Sequence, residues 1–116
     1  MTITIYHNSR CSKSRDTLSL LQQKGIDPNV VAYLDTPPDA ATVRGLLKKL
    51  GFADARTLMS KGEAEYKDLN LADQSLSQDA LIAAMVAHPK LIERPIVVNG
   101  DKAAIGRPPE TVLGIL

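Results

Sequence analysis

The sequence predicts an α/β protein in which a mixed four-stranded sheet is assembled from a βαβ opening and a ββα close, with a helical insert between the two halves. Three observations carry this expectation. A β-branched strand, a helix and a second strand open the chain; helical periodicity fills the middle; and an Asn-Gly hairpin signal lies between short apolar runs near the end. A strand-helix-strand unit implies a right-handed crossover and a parallel pair, whereas a hairpin is antiparallel, so the sheet is mixed. No repeat, low-complexity tract or linker interrupts residues 1–116, which read as a single domain.

Thr2 to Tyr6 alternates polar and apolar side chains, the pattern of a short strand, and a loop from His7 to Arg10 follows. From Ser12 to Lys24 the chain reads as a helix, with Leu18 and Leu21 on one face and Gly25 then Pro28 as its stop. Val30 to Tyr33 is the second strand. Thr36-Pro37-Pro38-Asp39 reads as a helix start with Thr36 as its hydroxyl cap, and Val43, Leu46, Leu47 and Leu50 follow at i, i+3, i+4 and i+7. Shorter helical pieces are expected at Ala53 to Met59 and Glu63 to Leu69. Ser77 is expected to cap a helix that buries Leu81, Ile82, Met85 and Val86 and ends before Pro89. Pro95 to Val98 and Ala103 to Ile105 are strands joined through Asn99-Gly100, and Pro108-Pro109 opens a last helix with Val112, Leu113 and Leu116 on one face.

At 116 residues, 44% of them hydrophobic, the chain can build one core and bury roughly two-thirds of its unfolded surface. A single cysteine, Cys11, excludes an intramolecular disulfide framework and a thiolate zinc cage, and His7 and His88 add little metal-binding capacity, so no metal is expected. The formal net charge of +1 gives no global basic field for nucleic acid or anionic membrane. No apolar run approaches a membrane span and the first residues lack a basic lead and a cleavage site, which leaves a cytoplasmic protein as the expectation. There a lone thiol stays reduced and free to act as a nucleophile.

Cys11 falls between a strand and a helix, where its sulfur can face the unpaired amide hydrogens and positive end of that helix. Such a position lowers a thiol pKa. Arg10, Lys13 and Arg15 crowd the same loop, and His7, Ser12 and Ser14 can donate hydrogen bonds. A lone cysteine is more commonly a small buried hydrophobe, but polar, cationic neighbours point to a reactive thiol. Three residues separate Cys11 from Arg15, where the phosphate loop of tyrosine phosphatases has five, which argues against a phosphatase. Ser14 stands where a dithiol centre would carry its second cysteine, so any resolving thiol must come from outside.

Arg94 and Arg107 form a second constellation. If Ile96–Val98 pairs with Ala103–Ile105, both arginines stand side by side at one end of the hairpin, and two guanidinium forks suit a tetrahedral oxyanion or a carboxylate. Two exposed arginines at strand ends would be the plainer reading. Each is followed by proline, and the Arg94–Pro95 bond reads equally as cis or as a trans proline on an edge strand.

Residues 6–15 (Tyr6-His7-Asn8-Ser9-Arg10-Cys11-Ser12-Lys13-Ser14-Arg15), with Arg94-Pro95-Ile96-Val97 and Gly106-Arg107-Pro108, resemble the glutaredoxin-coupled arsenate reductase (ArsC) family, in particular its short YfgD-like branch. The resemblance implies a thioredoxin-like fold, Cys11 as nucleophile, His7 and Ser14 holding it as a thiolate, Arg15 in the nucleophile loop, Arg94 and Arg107 on the oxyanion, and a cis bond before Pro95. It also implies that arsenate is the substrate, that no cofactor is bound, and that glutathione as co-substrate and glutaredoxin as partner complete the cycle. One position departs: where the family carries a third substrate arginine this chain has Ser60, with Lys61 one residue out of register. A lost charged contact to an anion costs on the order of 1.5–3 kcal/mol. Two further readings follow, a glutathione-linked thiol reductase without arsenate activity and a redox-responsive regulator of the Spx type that binds RNA polymerase, the latter weakened by Ser14 in place of cysteine.

Overall fold

A computed structural model describes residues 2–116, which divide into two compact units: residues 2–36 with 94–116, and residues 37–93. The first unit contains β1 (Ile3–His7), α1 (Ser12–Gln23), β2 (Asn29–Ala32), β3 (Ile96–Asn99), β4 (Lys102–Ile105) and a 3₁₀ segment over Pro109–Ile115. Its sheet has the order β2-β1-β3-β4. β1 runs parallel to β2, with His7 opposite Ala32, and antiparallel to β3, with Tyr6 opposite Ile96. The mixed four-stranded sheet is therefore as the sequence predicts, and the parallel pair brings the ends of β1 and β2 out on the same side as the loop that carries Cys11.

Burial follows from the alternation read along β1. Ile5, Leu21, Val97 and Val112 are fully buried together, and Ile3, Leu18, Leu20, Ile26, Ala104 and Ile115 pack against them. Four boundaries differ from the sequence reading. β1 and β2 each sit about one residue from their expected place. The hairpin turn is Gly100-Asp101, because Asn99 still pairs with Lys102; Gly100 takes φ +63°, which a type II′ turn requires of its first central residue. The last element is a 3₁₀ segment, with three residues per turn, so Val112 and Ile115 share the inward face while Leu113 and Leu116 are exposed.

The second unit holds α2 (Ala40–Leu50), a 3₁₀ turn over Ala55–Leu58, α3 (Ala64–Asp68), α4 (Gln78–Ala87) and a 3₁₀ turn over Pro89–Leu91. α2 buries Val43, Leu46 and Leu47, and α4 buries Leu81, Ile82 and Met85 while Val86 is half-buried. The cap of α2 is Asp39 and not Thr36: the Asp39 carboxylate accepts from the Thr42 N–H at 2.8 Å, since a carboxylate at the residue next to the first turn reaches the free amides that a hydroxyl three residues earlier cannot. Ser77 caps α4 as expected, accepting from the Ala80 N–H at 3.1 Å. Ser60 is half-buried, and its N–H donates to the Leu91 carbonyl at 2.6 Å.

Arg56 ties the second unit together. Only 7% exposed, it donates from Nε to the Leu71 carbonyl at 2.8 Å and from Nη2 to the Asp73 carbonyl, and its Nη1 lies 3.3 Å from the Asp54 carboxylate. Replacing Arg56 by methionine leaves these carbonyls without their donor, and the expected cost is about 2–4 kcal/mol of unfolding free energy. Urea denaturation measures it; a loss below about 0.5 kcal/mol, the scale of an ordinary surface change, would remove Arg56 as the clasp of this unit. Among the described residues no helix is long and apolar enough to cross a membrane.

Candidate active site

Cys11 occupies the N-cap of α1 in extended conformation (φ −94°, ψ 124°), reached directly from β1 through the loop His7–Arg10. That loop is held from several sides. The Cys11 N–H donates to the Asn8 carbonyl at 3.0 Å, the Arg10 N–H to Asn8 Oδ1 at 3.0 Å, and Arg15 Nη1 to the Ser9 carbonyl at 2.9 Å. No acidic residue stands in the first turn of α1, so the positive end of the helix is left to an anion.

The sulfur makes no formal capping hydrogen bond, yet it sits in the field of the first amides of α1. Partial burial pushes the Cys11 thiol up, but the N–H groups of Ser14 and Lys13, the charge of Arg107 and a hydrogen bond from Arg94 outweigh that and hold it below the ordinary thiol value. Arg107 Nη2 lies 3.5 Å from Sγ. The same guanidinium donates from Nε to the Arg94 carbonyl at 2.7 Å, so one side chain both approaches the sulfur and holds the backbone of the other arginine. The hairpin thus brings Arg94 and Arg107 together, as its sequence predicts, and sets both against Cys11.

His7 and Ser14 are arranged differently from the expectation that both hold the thiolate. Ser14 is fully buried, and its hydroxyl lies 2.6 Å from His7 Nδ1 and accepts from the Asn8 N–H at 3.0 Å. Ser14 acts on the sulfur through its backbone N–H, because the helical backbone points that amide at the N-cap while the side chain turns back into the loop. Burial, and then the positive charge of Arg15, keep the His7 pKa below its ordinary value, so the ring favours its neutral form. Arg15 braces Ser9 and does not contact the sulfur, and Arg10 is exposed and absent from the groups that act on it.

Both prolines that follow the arginines, Pro95 and Pro108, are preceded by cis bonds; the first is what the family resemblance implies where residue chemistry alone leaves it open, and the second has no sequence signal beyond the Arg-Pro pair itself. Sequence reasoning also missed Thr17, and it names Gly106 only as part of the Gly106-Arg107-Pro108 motif, without its packing. Thr17 is fully buried in α1, donating to the Lys13 carbonyl at 2.8 Å, and Gly106 passes against it. A Cβ at Gly106 would collide with the Thr17 hydroxyl and stand 2.8 Å from the Pro95 ring. The signal available was a glycine immediately before a candidate binding arginine, where close backbone approach is one of the reasons for glycine. Gly106→Ala is expected to destabilise the protein by about 1–3 kcal/mol and to raise the thiol pKa by displacing Arg107. Thermal unfolding and the pH dependence of alkylation would show this; unchanged values in both would mean the contact yields.

Residues 6–115 match the model of the ArsC family. The chain belongs to the ArsC family. Within it, the chain is 64% identical over 114 residues to the protein YfgD of Escherichia coli, covering 98% of this chain and 96% of that one. It is 53% identical over 116 residues to an arsenate reductase of Haemophilus influenzae, with full coverage of both. Among solved structures, an arsenate reductase from Vibrio cholerae superposes with a TM-score of 0.98 at 54% identity, over 100% of this chain and 98% of that one. The ArsC-family sheet and helices described above have the thioredoxin-like fold, and the loop that carries Cys11 joins its first strand to its first helix. Among the described residues of this ArsC-family chain, no group of three or more His, Cys, Asp or Glu side chains could hold a metal ion.

Proposed function

We propose that this chain is a thiol oxidoreductase that reduces arsenate in the cytoplasm, with glutathione and glutaredoxin as external reductants and no bound cofactor. The observation that carries this reading is the Cys11 sulfur at the amino end of α1 with Arg107 Nη2 at 3.5 Å and Arg94 beside it. A thiolate so placed has a nucleophile's charge state and two guanidiniums able to orient a tetrahedral oxyanion against it. The relatives described as arsenate reductases supply the choice of arsenate among such anions.

In the proposed cycle Arg94 and Arg107 hold the arsenate oxygens while the Cys11 thiolate attacks arsenic, forming an S–As bond and expelling one oxygen as water after protonation. A glutathione thiolate then attacks the Cys11 sulfur. The S–As electron pair passes to arsenic, which leaves as arsenite, and the two sulfurs, each oxidised by one electron, form a mixed disulfide. A glutaredoxin thiolate takes the glutathionyl group and returns Cys11. His7, Ser14 and Arg15 serve as positioning residues, His7 and Ser14 through their mutual hydrogen bond and Arg15 through Ser9.

Turnover is followed as NADPH oxidation in a coupled assay holding arsenate, glutathione, glutaredoxin and glutathione reductase. Arsenate-dependent oxidation is expected; its absence with the intact, folded protein would reject arsenate as the substrate and favour a glutathione-linked thiol reductase.

A further inference from the structure

The proposed cycle needs a second small molecule, a thiol, to approach Cys11 while the anion side of the sulfur is occupied by Arg94 and Arg107. A cleft of about 260 Å³ within the first unit is lined by the residues that precede Cys11 in its loop and by none of the arginines of the hairpin. Its walls come from the ends of two parallel strands and the turns that follow them: His7, Asn8 and Arg10 on one side, Ala32, Leu34 and Asp35 on the other. The carboxyl ends of parallel strands are where sheets of this kind commonly seat small ligands.

The cleft has an unusual charge arrangement. Arg10 and Asp35 both line it and both are exposed, yet they do not pair with each other: the hydrogen bonds at these residues are backbone ones, Arg10 N–H to Asn8 Oδ1 and Asp35 N–H to the Ala32 carbonyl. A separated cation and anion facing one space suit a ligand that carries a carboxylate and an ammonium of its own. Between them the wall is apolar at Ala32 and Leu34, and the His7 ring adds a surface that favours its neutral form. The lining residues His7 to Arg10 lead directly into Cys11, which follows Arg10 in the chain.

We propose that this cleft is the docking site for the thiol co-substrate, a small peptide thiol of the glutathione class, with a carboxylate on Arg10, the ammonium on Asp35 and its sulfur presented to Cys11. The proposal rests on the reading of the chain as a glutathione-dependent thiol enzyme and adds where the thiol binds. It separates two functions along one loop: the oxyanion is held by the hairpin arginines, and the reductant by the end of β2.

The test uses disulfide exchange, which needs no arsenate. In that reaction the Cys11 thiolate attacks one sulfur of glutathione disulfide, the S–S bond breaks, and one glutathione thiolate leaves as Cys11 becomes glutathionylated; mass spectrometry gives the rate. Arg10→Gln and Asp35→Asn are each expected to slow this reaction about fivefold, the scale of one exposed charge contact. Both should leave exchange with uncharged hydroxyethyl disulfide and alkylation by iodoacetamide unchanged. Esterifying the glycine carboxylate of glutathione disulfide should slow the wild-type protein and leave Arg10→Gln unaffected. Wild-type rates with glutathione disulfide in both variants would overturn the proposal, as would an equal slowing with all three reagents, which would place the effect on the sulfur. A protein that reduces no arsenate but shows the expected pattern loses the arsenate reading and keeps the cleft. A protein that turns over arsenate while exchange ignores both charges does the reverse.

Discussion

Cys11→Ser is expected to lose arsenate turnover by at least about a thousandfold while keeping its fold and its affinity for the anion. The size of the effect follows from two roles that serine cannot fill. A serine hydroxyl at the same N-cap is far weaker as a nucleophile without an adjacent base, and an oxygen cannot accept the incoming glutathione sulfur to make the mixed disulfide. The fold should survive because Cys11 is only half-buried and makes no formal capping bond, while serine is a good N-cap. Anion binding should survive because Arg94, Arg107 and the first amides of α1 remain. The coupled assay reads the first expectation, and calorimetric titration with arsenate the second. Residual turnover above about a hundredth of wild type would mean that a group other than Cys11 attacks arsenic.

For Arg107→Gln the expected loss is about 30–100-fold in kcat/KM, the scale of a charge-assisted hydrogen bond in the transition state. The residue acts at two points: Nη2 lies 3.5 Å from the sulfur and Nε holds the Arg94 carbonyl at 2.7 Å. Lysine should restore little, because a single ammonium on a flexible stem cannot span both. The same substitution has a pH signature. The folded protein holds the Cys11 thiol below its ordinary value, so the thiolate contributes stability that is present above the unfolded thiol pKa and is lost as pH falls through the folded one. Removing Arg107 raises the folded value and narrows that window. The pH profile of iodoacetamide alkylation should shift to higher pH in Arg107→Gln; an unmoved profile would assign the low thiol pKa to the helix amides and Arg94 alone.

Much of this site is legible in the residues themselves. A cysteine between a strand and a helix, without an acid in the first turn, places its sulfur before free amides whatever the rest of the chain does. The hairpin signal near Asn99 brings Arg94 and Arg107 together for the same local reason. What is not legible depends on side-chain direction and on three-dimensional neighbours. Ser14 and His7 fall near Cys11 in sequence, yet the hydroxyl turns toward the imidazole and only the Ser14 amide meets the sulfur. Arg15 looks like a third cation for the anion, but its reach ends at the Ser9 carbonyl. The fold shows the same division. Period places α1 and α2, and period with the Ser77 cap places α4, whereas the last helix reads as α from its apolar spacing and is instead 3₁₀, since only Val112 and Ile115 find the core.

The sulfur and the guanidinium that approaches it are separated by 96 positions in the chain. β3 pairs onto β1, and β4 onto β3, only after the whole intervening unit has been made, and this hairpin carries the two arginines into place. Cys11 therefore emerges early, and of the groups that lower its thiol only the Ser14 and Lys13 amides belong to its own helix. The contributions of Arg107 and Arg94 are added only when the final strands close onto the first.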